Sequence, residues 1–213
     1  MDTRIRKRSL AARAAAVIAV IGLILMLVPF TGGFSHAADN TMYAEEFNVE
    51  VDVAEDNSYD YHEYINVYYA TPHHGIYRYI PVRGYRVGGI QVPGYDYETY
   101  SDSGNKVIKI GSGNYTLVGQ NPYHVSYNIA MYEDENEEKD MLLLNLIPTG
   151  WETGIAESKC VINLPKEADL SKAKVYSGPY GTESNLLAAV METSEDGKTI
   201  TVTASDIPSN AGI

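Results

Sequence analysis

Few residues in this 213-residue chain have the types and spacing that chemistry needs. His73 and His74, with His62 and Glu63 upstream, are residue types that ligate zinc. Neighbouring residues on a strand face opposite sides, however, so an adjacent pair rarely chelates one ion, and polar histidines are expected beside the turn at Gly75. The acidic stretch 133–140 (EDENEEKD) and Asp102-Ser103-Gly104-Asn105 offer the carboxylates and carbonyls that calcium takes. Neither has the spacing of a twelve-residue calcium loop, and solvated hairpin tips account for both. Cys160 alternates with Ile162 and Leu164. A nucleophilic thiol needs a base and an electropositive, exposed setting, so apolar and acidic surroundings make Cys160 a core residue. No serine nucleophile elbow, phosphate-binding glycine loop or zinc-helix motif occurs, and Gly111-Ser112-Gly113 lacks the third glycine of a dinucleotide site. No catalytic, metal or cofactor residue is therefore assigned. An enzyme assembled from distant loops would leave no local trace, so the expectation leans only toward a non-enzyme.

Two other groups stand out. Tyr95, Tyr97 and Tyr100 lie in a stretch bounded by Gly and Pro and could present aromatic rings to a sugar; alternatively they pack as Phe does elsewhere. In the segment His73 to Val82 (HHGIYRYIPV), Ile76, Arg78 and Ile80 share one strand face while Tyr77 and Tyr79 take the other. An arginine on an apolar row is costly unless paired. Glu63 falls on the apolar row of the preceding strand, and the connection between the two strands is tight. A semi-buried Glu63–Arg78 ion pair is the expectation, with a cation–π contact from Arg78 to a tyrosine as its alternative.

The elements that must position these residues read as strands. Phe47, Val49, Val51 and Val53 alternate with polar residues, 54–58 is a turn, and Tyr61, Glu63, Ile65, Val67 and Tyr69 share one face of the next strand. Further strands are expected at 85–92, 106–110, 123–132, 140–146, 157–164 and 173–177. A hairpin of 187–193 and 199–204 closes on the Asp196-Gly197 turn, with 184–190 as an alternative short helix. Many short strands without a long amphipathic helix predict an all-β fold, an immunoglobulin-like antiparallel β-sandwich. The aromatic content is tyrosine-dominated, 18 Tyr against 3 Phe and 1 Trp, which suits a sandwich with partly wet faces.

Ahead of this lies a targeting segment. Arg4, Arg6, Lys7, Arg8 and Arg13 precede the uncharged apolar run 14–30, and Pro29, Gly32, Gly33 and Ser35-His36-Ala37 fit a helix break and a cleavage site. The expected division is 1–37 signal peptide, or a retained anchor helix, 38–42 linker and 43–213 extracytoplasmic domain. No cysteine directly follows the apolar run, which excludes a lipoprotein. Five of the 16 basic and one of the 28 acidic residues lie in 1–37, so 38–213 holds 11 against 27, a net charge of −16. Such a surface repels nucleic acid and anionic head groups. With Cys160 the only cysteine, no internal disulfide can form.

Five segments, in order, resemble domain-of-unknown-function family 2207, the YciQ-like predicted membrane proteins. They are FNVEVDVAEDNSYDYHEYINVYY with Glu63 at the acidic position, GIYRYIPV, GQNPYHVSY, DMLLLNLIPTGW and the strand ending Val161-Ile162-Asn163-Leu164-Pro165. In the fourth, Leu144 stands where an aromatic is usual and Thr149 replaces a small residue. The resemblance implies a signal peptide, an extracytoplasmic β-rich domain and then transmembrane helices, with this chain truncated before the first of them. The resulting expectation is an extracytoplasmic sensor or interaction domain of a membrane protein, its partner an unknown protein or cell-wall ligand. Its membrane link would be the targeting segment or a missing C-terminal helix. The alternative is a secreted carbohydrate- or cell-wall-binding module.

Overall fold

The computed structural model describes residues 41–131 and 142–213. The targeting segment, most of the linker and the acidic stretch 133–140 lie outside the described residues. Among those described, alternation produces strands wherever it was regular. β1 (Met42–Val53), β2 (Ser58–His73) and β3 (Gly75–Pro81) each bury every second residue over most of their length. They are followed by β4 (Tyr85–Gln91), β5 (Tyr97–Asp102), β6 (Asn105–Gly111), β7 (Leu117–Met131) and β8 (Ile155–Asn163). A single 3-10 turn (Leu170–Lys172) precedes β9 (Gly178–Pro179), β10 (Val190–Thr193), β11 (Thr199–Ile207) and β12 (Ala211–Gly212).

The strands form an all-β sandwich. A seven-stranded sheet runs in the order β10-β11-β8-β1-β2-β7-β4, and a three-stranded sheet in the order β3-β6-β5; β12 and β9 pair separately. The immunoglobulin-like expectation implied two antiparallel sheets of more equal size. One pairing departs from it in kind: β1 and β8 run parallel, with Val49 opposite Cys160 and Val51 opposite Ile162. Both strands send an apolar row inward, Phe47, Val49 and Val51 from β1 and Ile155, Cys160 and Ile162 from β8.

Three strands cannot cover seven. Beyond the small sheet, the inward face of the large one is lined by irregular segments between 142 and 183, which leave a cavity of about 1400 Å³ bordered by Tyr59, Tyr61, Tyr127, Trp151 and Ile162. These segments hold most of the differences from the sequence reading. The expected strand 140–146 is irregular from 142 onward, because Leu146 N and Ile147 N donate to the Ile213 carbonyl instead of to a ladder. The expected strand 173–177 is also irregular, apart from a bridge between Ser177 and Asn185. No helix forms over 184–190, where Asn185 Oδ1 accepts from Ala189 N and its Nδ2 donates to Ala189 O. Ala188 has φ 52, which delays β10 to Val190. The Asp196-Gly197 turn is where it was expected, with Asp196 Oδ1 accepting from Ser194 Oγ and Lys198 N.

The chain changes sheets at His74-Gly75, where β2 ends and β3 begins. Gly75 pairs with Gly111 at the end of β6, at φ +128 and +115. A Cβ on Gly75 would stand 1.8 Å from Ile110 O, and one on Gly111 would stand 1.9 Å from His74 O. This corner sets the height of β3 over β2, and so sets which residues meet between the sheets.

Candidate functional site

Glu63 and Arg78 meet in the interior of the sandwich, 0% and 4% exposed. Arg78 Nε donates to Glu63 Oε2 and Arg78 Nη2 to Glu63 Oε1, both at 2.7 Å, the two-point fork that guanidinium and carboxylate fit best. Tyr127 on β7 donates its hydroxyl to Glu63 Oε1 at 2.6 Å, and Arg78 Nη1 donates to the Tyr79 carbonyl at 2.6 Å. The guanidinium carbon also stands 5.9 Å from the centre of the Phe47 ring, so ion pair and cation–π contact coexist, with Phe47 as the ring in place of a tyrosine. Burial is the largest single influence on the arginine and would lower its pKa, but the Glu63 charge, Tyr127 and the hydrogen bonds to both together outweigh it, and the net shift is upward. Burial, and after it the Glu63 charge, drives the Tyr127 hydroxyl well above its ordinary value. Arg78 stays charged and Tyr127 keeps its proton through the neutral range, and their bonds to Glu63 fix the relation between β2, β3 and β7.

The tyrosines expected to form one surface do not. Tyr95 tilts against Tyr123 at 4.4 Å, under the sheet. Tyr97 belongs to β5 rather than a loop, pairs with Ile110 on the row facing away from Tyr100, stays 40% exposed there and donates its hydroxyl to Ile90 O at 3.1 Å. Tyr100 faces the other way. It lies opposite Val107, and Val107 lies opposite Tyr79, so these three residues form one row across the outward face of the small sheet. Val107 is fully buried yet lies outside the core cluster, as expected for a small side chain covered by the rings flanking it. The next row is Tyr77, Lys109 and Glu98, with Lys109 Nζ 3.9 Å from Glu98 Oε2. Tyr77 and Tyr79 stack at 6.2 Å. Tyr77, Tyr79 and Tyr100 remain 41–48% exposed. Burial, then the neighbouring Tyr100, raises the pKa of the Tyr79 hydroxyl, so it stays protonated. The result is an aromatic face with a charged rim, on a rigid three-stranded support.

The sequence reading missed Tyr77 and Tyr79 as members of this face. Their signal was present, because residues alternating with a buried Arg78 must face outward, but the partner strand that adds Tyr100 was not recognised.

The other candidates separate. His62 and Glu63 lie on opposite faces of β2, as adjacent strand residues must. His73 Nδ1 donates to Thr71 O at 2.7 Å, and His74 Nδ1 bonds to Tyr115 O at 2.7 Å, so the two rings are engaged by different backbone carbonyls. Ser103 and Gly104, at φ 48 and 80, make the two-residue turn between β5 and β6. Cys160 is 0% exposed, and burial pushes its thiol up to about 11. In the native chain at pH 8 an aromatic disulfide reagent is expected to label less than about a tenth of this thiol in an hour, and all of it after unfolding in urea. Rapid native labelling would place Cys160 at the surface.

Residues 43–213 match the family described as predicted membrane protein (DUF2207), N-terminal domain. The chain belongs to the DUF2207 family. The match starts one residue into β1 and runs through β12, so it takes in every described strand and both faces of the sandwich. DUF2207 proteins are thereby placed with membranes as a family, while no helix among the described residues is long and apolar enough to cross one. No curated protein matches the chain. Solved structures with a similar course include a provisionally assigned protease from Parabacteroides distasonis (13% identity, 80% of this chain and 36% of that one, TM-score 0.44). An M1 zinc metallopeptidase from Deinococcus radiodurans (9%, 82% and 42%, TM-score 0.42) and leukotriene A4 hydrolase from Saccharomyces cerevisiae (8%, 83% and 30%, TM-score 0.43) are others. This DUF2207 chain spans less than half the length of each, and likeness at that level carries no argument about function.

Proposed function

We propose that this DUF2207 domain is a non-enzymatic, extracytoplasmic recognition module of a membrane protein, and that it binds through the outward face of β3-β6-β5. The observation that carries the reading is the set Tyr77, Tyr79 and Tyr100, half-exposed around a covered Val107. Three rings held on sheet strands rather than loops are ordered before any ligand arrives, which lowers the entropic cost of binding. Their apolar faces suit a flat apolar surface, while their hydroxyls and the Lys109–Glu98 rim suit hydroxyl groups at its edge. A sugar ring has both features. The net charge of −16 over 38–213 disfavours polyanions, so the ligand class is neutral glycan of the cell envelope.

The test is retention of the full-length chain on insoluble cell-wall polysaccharides. Changing Tyr77, Tyr79 or Tyr100 singly to alanine is expected to weaken retention by about 1–2 kcal/mol each, roughly five- to thirtyfold. The triple variant is expected to bind none. Tyr97→Ala, on the row facing away from Tyr100, leaves retention unchanged. Equal retention of the triple variant and the parent chain removes the tyrosine face from the reading, and retention of neither on any polysaccharide moves the ligand to a protein partner.

A further inference from the structure

A second polar cluster lies on the outward face of the seven-stranded sheet, away from the tyrosine face. Register places His62 of β2 opposite Ser126 of β7, and Tyr64 opposite His124, so the two histidines are diagonal neighbours across one strand pair. His62 Nδ1 and His124 Nε2 stand 3.1 Å apart. Both side chains are half-buried. The His124 ring is held by Tyr64, against which it stacks at 4.7 Å and 7°. It lies 5.4 Å from the His62 ring at 25°.

Two ring nitrogens that face each other at this distance admit two readings. One is a shared proton. The other is a shared cation. Zinc–nitrogen bonds of about 2.0–2.1 Å at a tetrahedral angle put the two nitrogens about 3.3–3.4 Å apart, so a small swing of either ring converts the present spacing into a chelating one. The surroundings suit a positive charge of either kind. Glu50 of β1 lies opposite His62, and Asp52 and Asp60 follow on the same outward row, with no lysine or arginine among these cross-strand partners. Glu50 accepts one long contact among the described residues, 3.3 Å from Asn163 Nδ2, and it faces His62 across the strand pair. Among the described residues no three metal-ligating side chains already converge, so water or Glu50 would complete the shell.

We propose that His62 Nδ1 and His124 Nε2 together bind one borderline divalent transition cation, Zn²⁺, Ni²⁺ or Cu²⁺, at a solvent-open site on the outward face of the large sheet. Imidazole nitrogen selects these ions over the oxygen-seeking Ca²⁺ and Mg²⁺. The two ligands are 62 positions apart in the chain, on strands brought together only by the β2–β7 pairing, so no sequence motif announces them.

The test uses the full-length chain without a histidine tag, stripped with chelator and titrated with Zn²⁺ in a calorimeter. One saturating equivalent is expected. His62→Gln and His124→Gln are each expected to weaken it by at least about tenfold, since even outer-shell losses at metal sites cost 10–100-fold. The double variant His73→Gln/His74→Gln is expected to bind as the parent does. Nitrogen-15 spectra of the parent chain decide the matter independently of how the variants fold, because Zn²⁺ should shift His62 Nδ1 and His124 Nε2 together. An absence of Zn²⁺ binding at millimolar concentration overturns the site. So does binding lost in the His73/His74 variant but kept in the other two, or a Zn²⁺-induced shift at other imidazoles.

Discussion

Arg78→Ala is expected to cost about 3–5 kcal/mol of folding stability, because it strands the Glu63 carboxylate in the interior with Tyr127 as its remaining donor. Against a total of about 5–15 kcal/mol for an ordinary domain, that loss brings the chain close to unfolding at room temperature. Glu63→Ala should cost a similar amount by leaving the guanidinium without its carboxylate. Urea unfolding followed by far-ultraviolet circular dichroism measures both. The two losses should not add, since the second partner has nothing left to lose. An apolar replacement of the pair, Glu63→Leu with Arg78→Met, should recover much of the loss, and more when Tyr127→Phe removes the hydroxyl that donates to Glu63. A single Arg78→Ala loss below about 1 kcal/mol would mean that water reaches the network and solvates the stranded carboxylate.

Gly75→Ala and Gly111→Ala are the next most damaging changes expected, at about 2–4 kcal/mol each. The added carbon would press on a backbone oxygen across the β3–β6 pair, in a backbone conformation that disfavours a side chain. β3 cannot retreat without lifting Arg78 off Glu63. The expected fall in melting temperature is roughly 4–16 °C for a domain of this size. Gly113→Ala, where the new carbon meets nothing within 4 Å, is the control and should change stability by less than about 0.5 kcal/mol. If all three variants melt alike, the glycine corner is not what limits the approach of the strands.

Much of the fold was legible wherever one face of a strand is buried and the other wet. The rows of β1, β2 and β3 could be read residue by residue, and the parity that places Tyr61 and Ile65 inward places Glu63 with them. β5 shows the limit. All six of its residues are exposed, so there is no buried period to detect, and Tyr97 and Tyr100 read as loop although they point to opposite faces of a strand. The segment 142–147 failed for the opposite reason: its leucines look like a strand, but its backbone bonds to Ile213. Both candidate sites depend on pairings that a linear pattern does not encode. Tyr79 and Tyr100 need β6 between them, and His62 and His124 need β2 beside β7.

The parallel pairing of β1 with β8 sets a schedule for assembly. β1 is the first strand of the sandwich to be made, and it lies in the interior of the large sheet, with β2 on one side and β8 on the other. The β2 side can close at once as a hairpin, but the other side waits until Asn163 has emerged. At roughly 5–20 residues per second, the intervening stretch takes about 5–20 s to synthesise. Through that interval a strand with an apolar row presents unpaired backbone groups, an open template for another chain. A nascent DUF2207 domain therefore has a defined period of vulnerability to mispairing, which ends when its eighth strand docks.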